Sequence, residues 1–385
     1  MMKKNLYQII FLLFILVSCG KPKERSVANQ SEQPGEHPVL NQTEQPKDLP
    51  VLDISAVIER TVQNTFSWNS VAEQVTLIPI ETTDDILFAN PEIVHISDDS
   101  YYLTDYRTNS IARVDRNGKV ITSFSRQGQG PGEFAQMGTV HVNQEKGIIQ
   151  MITTYGGMKR IEYDLTGNLI RETGLSGRGF SSVLFISDDY IVFNGPLRGV
   201  AHKVYVTDTE LNIVQSLFPK DPALRTNVTS NTLNRDIAFI DLDEDETVFQ
   251  ITDKGAEPVF ILKEGSYRPD PGQSAMHINS DGYYAILPSF IGMVGVGAFQ
   301  NYYLIRYMRD VQAVYELWSK TDNRIVSRNF ELTLPSGKKI TKCVPHYIYE
   351  DTIAFIIQAH RIFEEIEGMK EDDNPVIVHI KLKTI

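Results

Sequence analysis

Cysteine is almost absent from this chain: 385 residues carry two, Cys19 and Cys343. A disulfide framework is therefore excluded once either is used for something else, and the fold must be stable from its apolar core. A chain of this length can bury such a core, because the buried fraction of surface rises with size. Positive charge is also scarce, with 37 Lys and Arg against 49 Asp and Glu and a formal net charge of −12. No Lys/Arg cluster offsets that balance, which argues against nucleic acid and anionic lipid surfaces as partners. Catalytic signatures are missing too. There is no H-E-x-x-H, no G-x-S-x-G and no paired Cys and His. The histidines at 37, 95, 141, 202, 277, 346, 360 and 379 are scattered, and no two stand at metal-ligand spacing within one element. No catalytic residue, metal ligand or cofactor is assigned.

What is present begins at the N-terminus. Lys3 and Lys4 precede an apolar run, Leu6–Val17, broken only by Gln8. The run is too short to span a bilayer as a permanent helix and reads as the h-region of an export signal over residues 1–18. It ends Leu16-Val17-Ser18-Cys19-Gly20, which resembles the lipobox of bacterial lipoproteins. The resemblance implies that Cys19 is acylated and becomes the new N-terminus, leaving Cys343 without a partner. Acyl chains on one residue bury enough CH₂ groups to hold a soluble domain at a membrane. Loss of Lys3 and Lys4 takes the net charge from −12 to −14. Residues 19–50 are rich in Gln, Glu, Pro, Ser and Asn, with Glu-Gln-Pro at 32–34 and again at 44–46. Such a segment cannot offset its ordering entropy by burial and reads as a flexible tether. Residues 51–70 read as a short helical or irregular lead-in, with Leu52–Val62 amphipathic.

From residue 71 to 385 the chain alternates apolar and polar residues in short runs bounded by turn residues, the pattern of strands. Residues 92–134 give the clearest unit, with strands Ile93–Ser97, Tyr101–Asp105, Ser110–Asp115 and Val120–Ser125. Its turn, Asp115-Arg116-Asn117-Gly118, is a strong hairpin signal because Asn-Gly supplies positive φ at low cost. Equivalent turn residues fall at 118, 167, 212 and 255, at intervals of 49, 45 and 43. A four-strand unit at that period is the signature of a β-propeller blade. The next equivalent, Asn323, comes 68 residues later, which implies an insertion within Ser266–Phe299. The fifth blade then takes Tyr302–Asp310, Val311–Thr321 and Arg324–Leu332. The last has only Val344–Glu350, Thr352–Gln358 and Val376–Lys383, and Val71–Glu81 is expected to supply its fourth strand. The sequence thus predicts an all-β, six-bladed β-propeller closed by an N-terminal strand.

The run Asp105–Gly118, followed by Gly128-Gln129-Gly130-Pro131-Gly132-Glu133-Phe134, resembles an NHL-type propeller repeat. With the lipobox and the strand Ile80-Glu81-Thr82-Thr83, residues 68–385 more specifically resemble a family of six-bladed β-propeller lipoproteins of anaerobic gut-type bacteria. The molecular function of that family is not established. The NHL signature occurs in a single full copy, so no function carries over from true NHL proteins.

Individual features have plain structural readings. The Gly-rich run 128–132 has strands on both sides rather than a strand and a helix, so it reads as a crossover between blades rather than a phosphate cradle. Asp241-Leu242-Asp243-Glu244-Asp245 opens like a calcium loop but lacks the glycine sixth and the glutamate twelfth, and reads as an acidic hairpin. Glu364, Glu365, Glu367, Glu371, Asp372 and Asp373 read as a solvated loop. The apolar segment Ser289–Phe299 reads as the inner strand of the fifth blade, with a channel cap or partner site as the alternative. His141 and His346 fall on expected innermost strands and are the histidines placed to face the channel.

The expectation is a membrane-anchored envelope lipoprotein, at the outer membrane rather than the inner, whose propeller is a non-enzymatic binding or scaffold module for a protein, peptide or glycan. The alternative is a metal-dependent lactonase- or lyase-type propeller enzyme, which needs several inner-strand ligands converging on one ion. Cys19→Ala tests the anchor: the variant is expected to move from the membrane to the soluble fraction. A mature N-terminus other than a modified Cys19, read by intact mass, would exclude it.

Overall fold

A computed structural model describes residues 48–384 except 85, 154–157, 176–181, 195–200, 221–227, 231, 236, 243–244, 271–275, 279–283 and 288. The signal, Cys19 and the tether up to residue 47 lie outside the described residues. Among these residues the chain is almost entirely β. The first blade is Pro91–Ile96, Ser100–Asp105, Ser110–Asp115 and Val120–Ser125, paired antiparallel in that order. Blade 2 spans residues 139–174, blade 3 spans 182–219 and blade 4 spans 228–263, each a four-stranded meander. Blade 5 is Gly292–Phe299, Tyr302–Arg309, Gln312–Ser319 and Ile325–Ser327. A small two-stranded sheet, Met276–Ile278 with Tyr284–Ile286, precedes it. Gly292–Phe299 is thus the inner strand expected from the apolar segment 289–299.

The expected count of six blades is corrected to seven, because the described residues hold seven sheets of three or more strands. The sixth is three-stranded: Asn329–Thr333 pairs antiparallel with Lys339–Thr341 and parallel with Thr65–Ser67 from the lead-in. Arg324–Leu332 reads in sequence as one outer strand because no Gly or Pro interrupts it. In the structure it divides at Arg328. Ile325–Ser327 stays on blade 5, while Asn329–Thr333 turns off to build the extra sheet. That sheet is wedged between blades 5 and 7. Phe66, Trp68, Phe330 and Ile340 share one buried cluster with Leu304 and Leu317 of blade 5 and Phe355 and Val378 of blade 7.

Blade 7 combines both ends of the domain. Tyr347–Tyr349, Thr352–Ile357 and Val376–Leu382 are followed in the sheet by Ala72–Pro79, which pairs antiparallel with Val376–Leu382. In the lead-in, Val51–Asp53 adds parallel to Ile261–Lys263 as a fifth strand of blade 4, and residues 54–60 follow as bends and turns.

The blades pack face to face, and this explains which strands are apolar throughout. Ser100–Asp105, a second strand with neighbouring blades on both faces, is buried along its whole length, whereas the outer strand Leu169–Gly174 is exposed along its whole length. Two turn glycines lock a blade to the one before it. Gly118, at φ +92°, lies where a Cβ would stand 1.8 Å from the carbonyl oxygen of Pro79. Gly167, at φ +86°, holds the equivalent place against the Phe124 ring of blade 1, with 2.5 Å left for a Cβ. Positive φ and close approach together leave room only for glycine.

One buried charge fixes the lead-in to blade 5. The Glu316 carboxylate is fully buried and accepts hydrogen bonds from Tyr307 Oη at 2.9 Å, Trp318 Nε1 at 3.0 Å and Arg328 Nη2 at 2.6 Å. The same guanidinium donates to the carbonyls of Arg60 and Val57. Arg328→Ala leaves this carboxylate without its counter-charge and is expected to cost about 3–5 kcal/mol. Chemical denaturation measures that loss. Replacing Glu316 as well, with Leu, should recover much of it, and a loss under about 1 kcal/mol in the single variant would show that the pair is not what holds the segment.

Candidate functional site at the ring axis

The first strands of the blades run along the ring axis, so residues far apart in sequence meet there. A cavity of about 140 Å³ is bounded by Val94 of blade 1, His141 of blade 2, Phe185 of blade 3, Arg235 of blade 4 and His346 of blade 7. Asn234 and Arg235 also line an adjoining cleft of about 480 Å³ between blades 4, 5 and 7, with Gln250, Tyr303, Lys320 and Tyr349 among its walls.

Arg235 is the charged residue common to both spaces. It precedes the second strand of blade 4, in a segment tied to its neighbours by backbone bonds: Leu233 N donates to Val296 O and Arg235 N to Ile348 O. Its guanidinium donates to Val142 O at 3.1 Å, lies 3.3 Å from His95 Nε2 and 3.8 Å from Asp188 Oδ1, and sits over the Tyr349 ring at 5.8 Å. Asp188 also holds His141, whose Nε2 is 2.7 Å from Oδ1, while the imidazole stacks on Phe185 at 4.7 Å. The carboxylate thus orients one imidazole and one guanidinium. Lys320 repeats the motif of a cation over an aromatic face in the cleft. Its Nζ donates to Gln300 O at 2.8 Å and lies 4.9 Å from the Tyr303 centroid, and burial pulls its pKa down.

Glu92 and His346 have solvent-accessible side chains, yet the surrounding protein shifts both, as befits groups facing a narrow wet channel. Burial raises the Glu92 carboxyl, with Arg306 opposing. Burial and then Arg306 push His346 down to about 4. Tyr106 is pushed up to about 12 by burial and then by Glu92. Arg306 comes from a second strand, opposite Gly295 of the inner strand. Among the described residues no three His, Cys, Asp or Glu side chains come together as a metal site. A cation-rich cleft backed by aromatic faces can hold an anionic or polar ligand through charge and stacking.

The structure brings His141 and His346 to the same cavity. Cys19 lies outside the described residues, as do Asp243 and Glu244 of the acidic hairpin. The run 128–134 is a tight crossover: Glu133 folds back to accept from Gly130 N at 2.8 Å, Gly132 N donates to Glu172, and Phe134 is buried. In the acidic loop, Glu364 and Glu365 pair with Lys338. Sequence reasoning missed Arg235, Asp188, Glu92 and Lys320. Each stands singly in an ordinary strand or loop, and the only signal available was position near the start or end of a blade.

Comparison with known proteins bears on the fold. Residues 49–381 match the model of a domain of unknown function, DUF4934. The chain belongs to that family. No curated protein matches it at a significant level. Among solved structures it is similar to a candidate exported protein of Bacteroides fragilis, at 14% identity and TM-score 0.56, covering 83% of this chain and 98% of that one. A member of the DUF4221 family from Bacteroides vulgatus, at 11% identity and TM-score 0.47, covers 81% of this chain and 97% of its own. Virginiamycin B lyase from Staphylococcus aureus, at 12% identity and TM-score 0.40, covers 80% and 100%. The first supports the propeller fold for this DUF4934 domain. The other two carry no argument about its chemistry.

Two histidines kept neutral by the surrounding protein make stability depend on pH. Burial and Arg116 hold His379 down to about 4, beside Tyr101 Oη at 3.0 Å, and His346 is held at the same level. The unfolded chain takes up these protons near pH 6.5, whereas the fold refuses them until about 4. Their stabilisation is complete above pH 6.5 and lost as pH falls through that window. Melting temperature is expected to drop between pH 6.5 and 4.5, above the range where most carboxylates titrate, and His379→Gln should flatten the slope. An unchanged slope would exclude His379 as a source.

Proposed function

We propose that this chain is an envelope lipoprotein, anchored through Cys19 and held off the membrane by the tether, whose propeller is a non-enzymatic binding module for a protein, peptide or glycan. The outer membrane is the favoured address. The observation that carries the reading is the axial cleft, where Arg235 and Lys320 lie over the rings of Tyr349 and Tyr303 beside the half-buried amides of Gln250 and Gln300. Cations fixed over aromatic faces by the scaffold are organised before a ligand arrives, which lowers the ordering cost of binding. The likeness to a candidate exported protein is in keeping with an envelope location. Rigid blades carrying variable loops suit recognition.

The test uses the membrane-anchored chain as bait for envelope extract and for an array of acidic and neutral glycans. Retention is expected to fall at least about tenfold, or 1.4 kcal/mol, in Arg235→Ala and in Lys320→Ala, and to be unaffected by chelator. A hydrolase or lyase activity that disappears on chelation and on changing Glu92 and Asp188 to amides would overturn the reading in favour of the enzyme.

A further inference from the structure

Blade 5 lacks half of its outer strand. In blades 1 to 4 the fourth strand runs six, six, seven and nine residues, but Ile325–Ser327 has three. It pairs only with Leu317 and Trp318 of the third strand, because Arg328 then leaves the sheet for Glu316. The other half of that strand, Gln312–Glu316, has no neighbour on its outer side among the described residues. Its ladder with the second strand starts at the Arg309–Gln312 pair. Antiparallel alternation then points the amides and carbonyls of Ala313 and Tyr315 to the open side, and no bond to them occurs among the described residues. A groove of about 820 Å³ lies along this edge, with Val314 and Tyr315 on one side, Phe330 and Glu331 of the sixth sheet on the other, and Lys342 at its rim. Lys342 is exposed and unpaired among the described residues.

The chain twice covers such edges with three residues of extended backbone: Val51–Asp53 on Ile261–Lys263 and Thr65–Ser67 on Asn329–Glu331. We propose that the edge Gln312–Glu316 is a strand-acceptor site for an extended peptide of a partner protein, apolar at alternate positions and carrying an acidic side chain opposite Lys342. A row of outward N–H and C=O groups at strand spacing is matched by another backbone, and the half-buried Tyr315, which packs with Phe330 on one face of the sheet, gives the apolar side chains on that face a floor. This site is separate from the axial cleft.

Fluorescence anisotropy with the full chain tests it, using labelled Thr-Val-Glu-Val-Thr-Val, the same peptide with Lys for Glu, and a version with Pro for each Val. The acidic peptide is expected to bind, the Lys peptide to bind about fivefold more weakly, and the Pro peptide not to bind. Ala313→Pro removes an outward amide without removing a native bond, and should weaken binding about tenfold with an unchanged melting temperature. Lys342→Glu should invert the charge preference, which keeps the test decisive if the proline variant fails to fold. Equal binding by a folded Ala313→Pro, an unchanged preference in Lys342→Glu, or no binding by either strand-forming peptide would overturn the proposal. So would loss of binding in Arg235→Ala and Lys320→Ala, which would place the peptide at the axis. A large gain in affinity on deleting residues 20–47 would assign the groove to the tether instead.

Discussion

The structure depends on one pairing, that of Ala72–Pro79 with Val376–Leu382. A propeller without it is an open stack with bare edges, and bare edges recruit other chains. The pairing is reinforced from the side. Buried Asn374 donates to the carbonyls of Glu81 and Ile86 and accepts from Phe88 N, and Glu81 N donates to Gly118 O. The junction between the closing blade and blade 1 is therefore stitched by side chains as well as by strands. The Gly118 turn presses onto Pro79 at this same junction, and the Gly167 turn onto Phe124 between blades 1 and 2.

Where the sequence was legible, the cause was local. Asn117-Gly118 and Gly167 declare hairpins because their backbone conformation and close packing admit little else, and their spacing gives the blade period. The closing strand was legible as a leftover run with no other mate. The extra, sixth sheet was not, because no Gly or Pro in Arg324–Leu332 marks a break. What divides it is Arg328, drawn out of the sheet by a carboxylate twelve residues earlier, and such a pull is invisible to periodicity. The lead-in reads in sequence as helical or irregular because strands of three residues fall below the length at which alternation can be recognised.

The axial site was legible only in part, for a topological reason. His141 and His346 could be placed because first strands must line the axis. Arg235 sits outside any strand, and Arg306 belongs to a second strand, opposite Gly295 of the inner one. Asp188 belongs to a turn and acts by holding His141 and Arg235. Charge that is paired across blades leaves no motif in one dimension. The acidic overall balance even points away from the cation-bearing cleft that the fold assembles.

The position of the two closing strands in the chain sets an order in time. The strand that seals the ring is made early and waits for a partner nearly three hundred residues further on. Contacts so distant form late and slowly. Until Val376–Leu382 arrives, every blade already formed sits in an arc whose two ends are unsealed, and the growing chain is at its most adhesive. The domain therefore matures in a single final step. A nascent or truncated chain ending before residue 376 is a sticky intermediate rather than a smaller propeller.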